Sequence, residues 1–373
     1  MPGESGALNI KAHAHSAILV TGATGFVGRY LVRKLARAGK RIMVLARRRA
    51  GVPAQARIAQ SFGELSSRLD VVEGDLADSR SLKNGFQRLP LEIATVIHCA
   101  GETSFTPAAQ LPARPVQIEG PLTLLRILAA RGLRRWSHVS TAYVCGRRSG
   151  VVWEHETDVG QEFHNPYERL KLQSEVGFKL ACRELGVGLV ILRPSIVIGP
   201  APATNGGAPS NLLFTFIRML SGVAQKLGNS DDLVRVRGSG SARFNIVPVE
   251  YVVSAIAELS DETESAGRTF HLVAANPPTQ NAVAEVLSAR LGLRGLHVVD
   301  AGEELSHPSR VELRLEKLLH PYKEYLEQHV QFDASSTGRL LAPKGLRAPD
   351  INRSEIHRLV ELAACASTRA GPV

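Results

Sequence analysis

Ala17-Ile18-Leu19-Val20, running directly into Thr21-Gly22-Ala23-Thr24-Gly25-Phe26-Val27-Gly28, is the stretch that decides the fold. Ile18 to Val20 are apolar and mostly β-branched, the composition of a buried parallel strand. Phe26, Val27, Tyr30, Leu31 and Leu35 then recur at helical spacing, and Gly39 ends that helix. Strand, glycine turn and helix in this order form the context of a dinucleotide-binding fingerprint. Gly22 permits the tight turn, and Gly25 lets the backbone approach a pyrophosphate. Gly28 lets the helix pack closely on the strand. The free N–H groups of the first helical turn, around Thr24, Phe26 and Val27, then face the phosphate charge. The spacing is Gly-x-x-Gly-x-x-Gly rather than the commoner Gly-x-Gly-x-x-Gly.

A second strand, Arg41 to Ala46, leads into Arg47-Arg48-Arg49. An acidic residue here would bind the ribose 2′-OH of NAD. None is present, and an arginine can accept the 2′-phosphate of NADP. NADP(H) is therefore expected over NAD(H), with Arg47 as the contact and Arg49 as a solvated neighbour.

Further along stands Tyr167-Glu168-Arg169-Leu170-Lys171. Tyr167 and Lys171 are i and i+4, neighbours on one helical face. Asn165 is placed to cap this helix and Pro166 to open it. A phenol ionises near ~10, and a neighbouring ammonium favours its anion, so the pair can exchange a proton with a carbonyl oxygen. Upstream lies the strand Trp136 to Thr141. Ser140 and Thr141 stand at its carboxyl end, where open α/β sheets bind ligands.

These segments together resemble the extended short-chain dehydrogenase/reductase superfamily. The resemblance implies an α/β fold: a Rossmann-type doubly wound parallel sheet with helices on both faces, and a smaller C-terminal substrate-binding lobe. It also implies a catalytic group of Thr141, Tyr167 and Lys171, with Lys171 binding the nicotinamide ribose and lowering the Tyr167 pKa. Thr141 is preferred to Ser140 because it lies five residues before Gly146. Gly74-Asp75-Leu76 looks like the family's adenine-contacting turn. Val96 to Gly101 looks like its fourth strand, with Ala100 passing the cofactor ribose. Leu192-Arg193-Pro194-Ser195 looks like the segment beside the nicotinamide.

Three segments narrow the match: Val139 to Val144, Arg193 to Gly199, and Phe244 to Val252. They look like fatty acyl-CoA reductases and thioester reductase domains, the male sterility branch. That likeness implies reduction of an acyl thioester, on CoA or a carrier protein, to aldehyde or alcohol. Other extended-family chemistry stays open: a ketone or hydroxysteroid-like substrate, a nucleotide-sugar epimerase or dehydratase, or a non-catalytic NADP-binding sensor. The chain departs from the family at Gln117, where Asn is common, and at Glu102, where small residues are common.

At 373 residues and 44% apolar, the chain suits one doubly wound domain with a substrate lobe. The expected division is a flexible tail at 1–15, an NADP-binding domain at 16–198 with a strand near 243–252, and a substrate lobe and lid at 199–242 and 253–373. An apolar helix, Leu212 to Leu220, is a candidate lid or equally a plain core helix, and Val311 to Leu319 reads equally as strand or helix. No run is long and apolar enough to span a bilayer. Cys99, Cys145, Cys182 and Cys365 lack metal or redox spacing, so no metal site is expected and a cytoplasmic location fits. The formal charge of +10 comes without interleaved aromatics in the basic clusters, which argues against nucleic acid. A homodimer is compatible with the sequence, which does not specify one.

Overall fold

The computed structural model describes residues 16–87, 89, 92–103, 105, 113–200, 217, 220, 222, 233–293 and 295–368. The expected N-terminal tail and most of the candidate lid helix fall outside these residues.

Seven strands form one fully parallel sheet. They are β1 (Ala17–Thr21), β2 (Ile42–Ala46), β3 (Leu69–Glu73), β4 (Ile93–His98), β5 (Arg135–Val139), β7 (Gly188–Pro194) and β11 (Arg268–Leu272), with β6 (Gly150–Val152) standing outside. Their order is β3-β2-β1-β4-β5-β7-β11. The order reverses between β1 and β4, so the loops leaving those strands diverge and open a crevice at the carboxyl edge. Adjacent strand residues point to opposite faces. Leu19 and Met43 join one core with Leu82, Phe86, Leu124, Trp136 and Phe178. Val20 and Val44 join the other with Leu31, Leu35, Val252 and Ile256. Burial on both faces explains why these strands read as continuous apolar runs.

Three two-stranded parallel sheets surround this core: β8 (Ile196–Ile198) with β10 (Ile246–Pro248), β9 (Leu233–Gly238) with β12 (Gly295–Asp300), and β6 with β13 (Val330–Phe332). The strand expected near 243–252 therefore does not join the main sheet. The last residue of β10, Pro248, pairs with Ile198 and also caps the helix Val249–Asp261, whose apolar face packs in the core shared with the helix Phe26–Arg37. The outer strand of the sheet is β11, from the stretch the sequence reading gave to the substrate lobe. It pairs with β7 from Arg268↔Val190 to Leu272↔Pro194.

A separate core holds the C-terminal lobe, where Val236, Phe244, Val286, Leu296, Leu315 and Leu359 are buried together. The ambiguous Val311 to Leu319 is helical. Ser309 and Glu312 form a reciprocal capping box at its start. Among the described residues, no helix is long and apolar enough to cross a membrane.

Candidate active site

The glycine turn leaves β1 with Gly22 at φ +70°, and a Cβ there would sit 2.5 Å from the Ala100 nitrogen. A Cβ on Gly28 would sit 2.2 Å from the Gly22 carbonyl oxygen. Both positions therefore require glycine. Gly25 is the N-cap of the Phe26–Arg37 helix and provides no side-chain cap. The N–H groups of that first turn, including Phe26 and Val27, are left for an external acceptor beside Thr24. Ala100 donates its N–H to Thr21 Oγ1 at 3.3 Å, which pins the β4 loop across the crevice. This cradle fits a dinucleotide pyrophosphate.

At the adenosine end, Arg47 follows β2 and lies 3.8 Å from Asp75. Asp75 turns its own loop by accepting the Ala77 N–H at 2.9 Å. Leu76 is buried, and its carbonyl lies where a Cβ on Gly120 would fall, 1.7 Å away. Arg48 is engaged by Glu73 at 3.1 Å, closer than Arg47 is to Asp75. Arg57 packs against this segment and donates to the Arg47 carbonyl at 2.6 Å. Burial and then the charges of Arg49 and Arg47 lower the Arg57 pKa, so three arginines lie close together here.

The helix Pro166–Leu185 starts as its sequence predicts. Asn165 Oδ1 accepts the Glu168 N–H at 3.2 Å, and Pro166 occupies the first position. Tyr167 and Lys171 then face the ends of β5 and β7. Lys171 is 5% exposed, and its Nζ donates to the Val139 carbonyl at 3.1 Å. Burial pushes its pKa down to about 8. Thr141 lies close enough to the Tyr167 phenol to favour its ionisation, and its hydroxyl accepts the Tyr143 N–H at 3.3 Å.

The Tyr167 pKa moves opposite to expectation. Burial and then the neighbouring Glu168 carboxylate raise it, and Thr141 opposes them only in part. The phenol is thus held in its neutral form, and Lys171 is not among the main causes of the shift.

The hydroxyls of Ser140 and Ser195, just past β5 and β7, are buried without a hydrogen-bond partner. Ser195 donates its N–H to the Leu272 carbonyl at 3.3 Å, and Pro194 ends β7 beside it. Orphan buried hydroxyls at strand ends fit the polar edge of a bound ligand. Gln117, on a π-helical turn over Pro115–Glu119, reaches the β4 loop and accepts the Glu102 N–H at 3.1 Å. A Cβ on Gly101 would lie 2.5 Å from Gln117 Oε1 and 3.2 Å from Lys171 Nζ. The longer side chain thus fixes the loop beside Lys171.

The structure adds an aromatic wall that the sequence reading missed. The Phe105 ring lies 5.8 Å from Tyr167, 5.4 Å from Tyr322 and 5.7 Å from Tyr325. Tyr322 and Tyr325 come from the C-terminal lobe, and no local motif marks them. A groove of ≈ 790 Å³ opens elsewhere, lined by Arg114, Arg169, Gln173 and Val176. Helical periodicity puts Arg169, Gln173 and Val176 on the face opposite Tyr167 and Lys171, so this groove is not the reaction site.

Comparison with known proteins agrees with this geometry. The family model described as "Male sterility protein" matches residues 20–256. The terminal R domain from the myxalamid PKS-NRPS biosynthetic pathway superposes with a TM-score of 0.76 at 25% identity, over 97% of this chain and 94% of that one. A carboxylic acid reductase of Mycobacterium marinum is 23% identical over 69% of this chain and 24% of its own length. UDP-glucose 4-epimerase 1 of Oryza sativa subsp. japonica is 31% identical over 52% of this chain and 57% of its own length. The chain spans about half the length of the first curated relatives it matches. The sheet order, glycine turn and Tyr-x-x-x-Lys pair are those of an extended short-chain dehydrogenase/reductase, with the make-up of an NAD(P)-dependent oxidoreductase.

Proposed function

We propose that this chain, which belongs to the male sterility protein family, is an NADPH-dependent reductase of an acyl thioester carried on CoA or a carrier protein. The observation that carries this reading is the placement of Tyr167 beside Thr141 and one helical turn from Lys171, which is buried against the Val139 carbonyl. The nicotinamide, when bound, supplies hydride to the carbonyl carbon. Tyr167 gives its proton to the carbonyl oxygen while the Thr141 hydroxyl steadies that oxygen. Lys171 holds the ribose hydroxyls with its ammonium. With a thioester, the resulting hemithioacetal expels the thiol and leaves an aldehyde, open to a second reduction. Gly22, Gly25 and Gly28 hold the pyrophosphate. Arg47 and Arg57 meet the 2′-phosphate, which selects NADPH. The protein works in a reducing cytoplasm, where its buried thiols persist.

The test is NADPH consumption with a panel of acyl-CoA and acyl-carrier substrates, aldehydes and ketones, beside Tyr167→Phe. Turnover of thioesters that Tyr167→Phe abolishes is the expected result. Turnover confined to ketones or aldehydes would overturn the thioester assignment. Identity to an epimerase over half the chain favours a second reading, nucleotide-sugar epimerisation. Tightly retained NAD and interconversion of UDP-sugars would establish it. Against it stands the aromatic wall of Phe105, Tyr322 and Tyr325, which suits an apolar acyl group better than a sugar.

A further inference from the structure

Glu168 follows Tyr167 directly, is 0% exposed, and takes no part in the chemistry above. A buried carboxylate is costly unless it is well partnered. Here the partners are specific. Glu168 Oε2 accepts the His164 N–H at 2.9 Å, and both carboxylate oxygens lie 3.1 Å from His164 Nδ1. The hydroxyl of Tyr325 donates to Oε1. Asn165 Nδ2 donates to that same Tyr325 oxygen at 2.7 Å.

An ordinary capping box would end with the glutamate on the N-cap N–H. Glu168 instead reaches one residue further back, to His164, and takes a phenol from 157 positions away in sequence. The Tyr325 ring is clamped on three sides. It lies 4.7 Å from His164, 5.1 Å and nearly perpendicular to Tyr143, and 5.7 Å from Phe105. Phe105 touches the Tyr167 ring in turn.

We infer that Glu168 and Tyr325 are positioning residues: the C-terminal lobe docks Tyr325 onto Glu168 and thereby fixes the first turn of the catalytic helix, aiming the Tyr167 phenol at Thr141. The inference rests on Tyr167 being the proton donor of the proposed reduction. After burial, the Glu168 carboxylate is the second cause that raises the Tyr167 pKa. The charged and titratable groups facing this cluster are His164, Glu324 and Arg147 on the outer side, Tyr143 and Cys145 on the turn after β5, and Lys171 one turn along the helix. The substrate lobe is then part of the catalytic apparatus, because undocking Tyr325 leaves Glu168 short of a donor and Tyr167 unsupported.

The experiment uses the full chain labelled with 3-fluorotyrosine, whose more acidic phenol brings ionisation within reach of fluorine NMR. The Tyr167 signal is assigned by its loss in Tyr167→Phe. Glu168→Gln removes the charge and keeps the shape. Tyr325→Phe keeps the ring packing and removes only the hydroxyl, so it serves where Glu168→Gln destabilises the fold. Glu168→Gln is expected to lower the Tyr167 midpoint by roughly half a pH unit or more. Tyr325→Phe is expected to broaden or split the Tyr167 signal. Both are expected to lower kcat on the best thioester about tenfold with KM little changed, since they act on transition-state alignment rather than on binding. A Tyr167 midpoint and line shape matching the parent protein in both variants would overturn the inference. A merely structural role would lower Tm and leave that midpoint in place. Because the NMR readout needs no turnover, a shifted midpoint in a chain that reduces no thioester would uphold the positioning role and reject the reductase reading.

Discussion

Arg193 and Glu175 form a bidentate ion pair sealed inside the protein, with Nε to Oε1 at 3.0 Å and Nη2 to Oε2 at 2.6 Å. Glu175 lies one turn beyond Lys171 on the catalytic helix, and Arg193 lies on β7 just before Pro194 and Ser195. The pair therefore sets the helix that carries Tyr167 against the end of β7 proposed to lie beside the nicotinamide. Removing one partner strands the other as a buried charge, at a cost of about 3–5 kcal/mol. Glu175→Ala should lose that much stability in urea unfolding. Glu175→Leu combined with Arg193→Met should cost far less, because no unpaired charge remains. Equal losses in the single and double variants would show that packing, not charge burial, sets the cost.

The basic cluster after β2 makes a prediction about cofactor choice. Arg47, with Arg57 bound to its carbonyl, faces the expected 2′-phosphate. A charge-assisted bond to phosphate is worth about 1.5–3 kcal/mol. Arg47→Ser and Arg57→Ser should each weaken NADPH binding by roughly tenfold or more while moving NADH affinity by less than about threefold. Titration of both cofactors by fluorescence measures this. Parallel losses for the two cofactors would mean that these arginines shape the loop rather than read the phosphate.

Lys171 ties activity to stability through pH. Burial lowers its folded-state pKa from 10.5 to about 8. Below about 8 the lysine is charged in both states, and above 10.5 it is neutral in both. Between them the unfolded chain binds a proton that the folded chain does not, so stability rises with pH across that window. The full rise is about 3 kcal/mol from this group. Denaturation midpoints followed from pH 7.5 to 10.5 should rise more steeply for the parent chain than for Lys171→Met. Parallel curves would show that the ammonium is solvated or paired in solution.

The N-terminal half of this architecture was legible because its rules are local. Gly22, Gly25 and Gly28 stand where a backbone turn and a close helix contact demand them. The Tyr167 to Lys171 spacing is one helical turn, and Asn165-Pro166 announces that helix. The Ser309-x-x-Glu312 box was also written in the sequence and would have resolved the 311–319 ambiguity toward helix. The remainder depends on contacts between distant residues. Nothing near Arg268–Leu272 says that this strand, rather than Ile246–Pro248, completes the main sheet, since both are short and neither carries a pairing signal. The docking of Tyr325 on Glu168 joins residues 157 positions apart and follows no periodicity. The direction of the Tyr167 pKa shift depends on burial and on that neighbouring carboxylate, neither of which spacing reveals.

Glu154 shows how the C-terminal region is held against the sheet, and it gives the last prediction. Only 3% exposed, it follows β6 and accepts the N–H groups of His271 at 2.9 Å, Ser336 at 2.7 Å and Thr337 at 3.2 Å, together with the Thr337 hydroxyl. One carboxylate thus joins β11, at the edge of the main sheet, to the start of the Ser335–Leu341 helix. The adjoining β6–β13 pair belongs to the same junction, and β13 lies five residues beyond Tyr325. Glu154→Gln would turn an amide NH2 toward some of these donors and remove the charge that attracts the rest, costing about 2–3 kcal/mol. Hydrogen exchange should then quicken first at residues 330–341 and leave the amides of β1 and β4 protected. NADPH affinity should hold, since its cradle lies on β1, β2 and β4. The rate of reduction should fall, because a loosened β13 frees the chain that presents Tyr325 to Glu168. Uniformly faster exchange across the whole sheet would show instead that Glu154 supports global stability and not this junction.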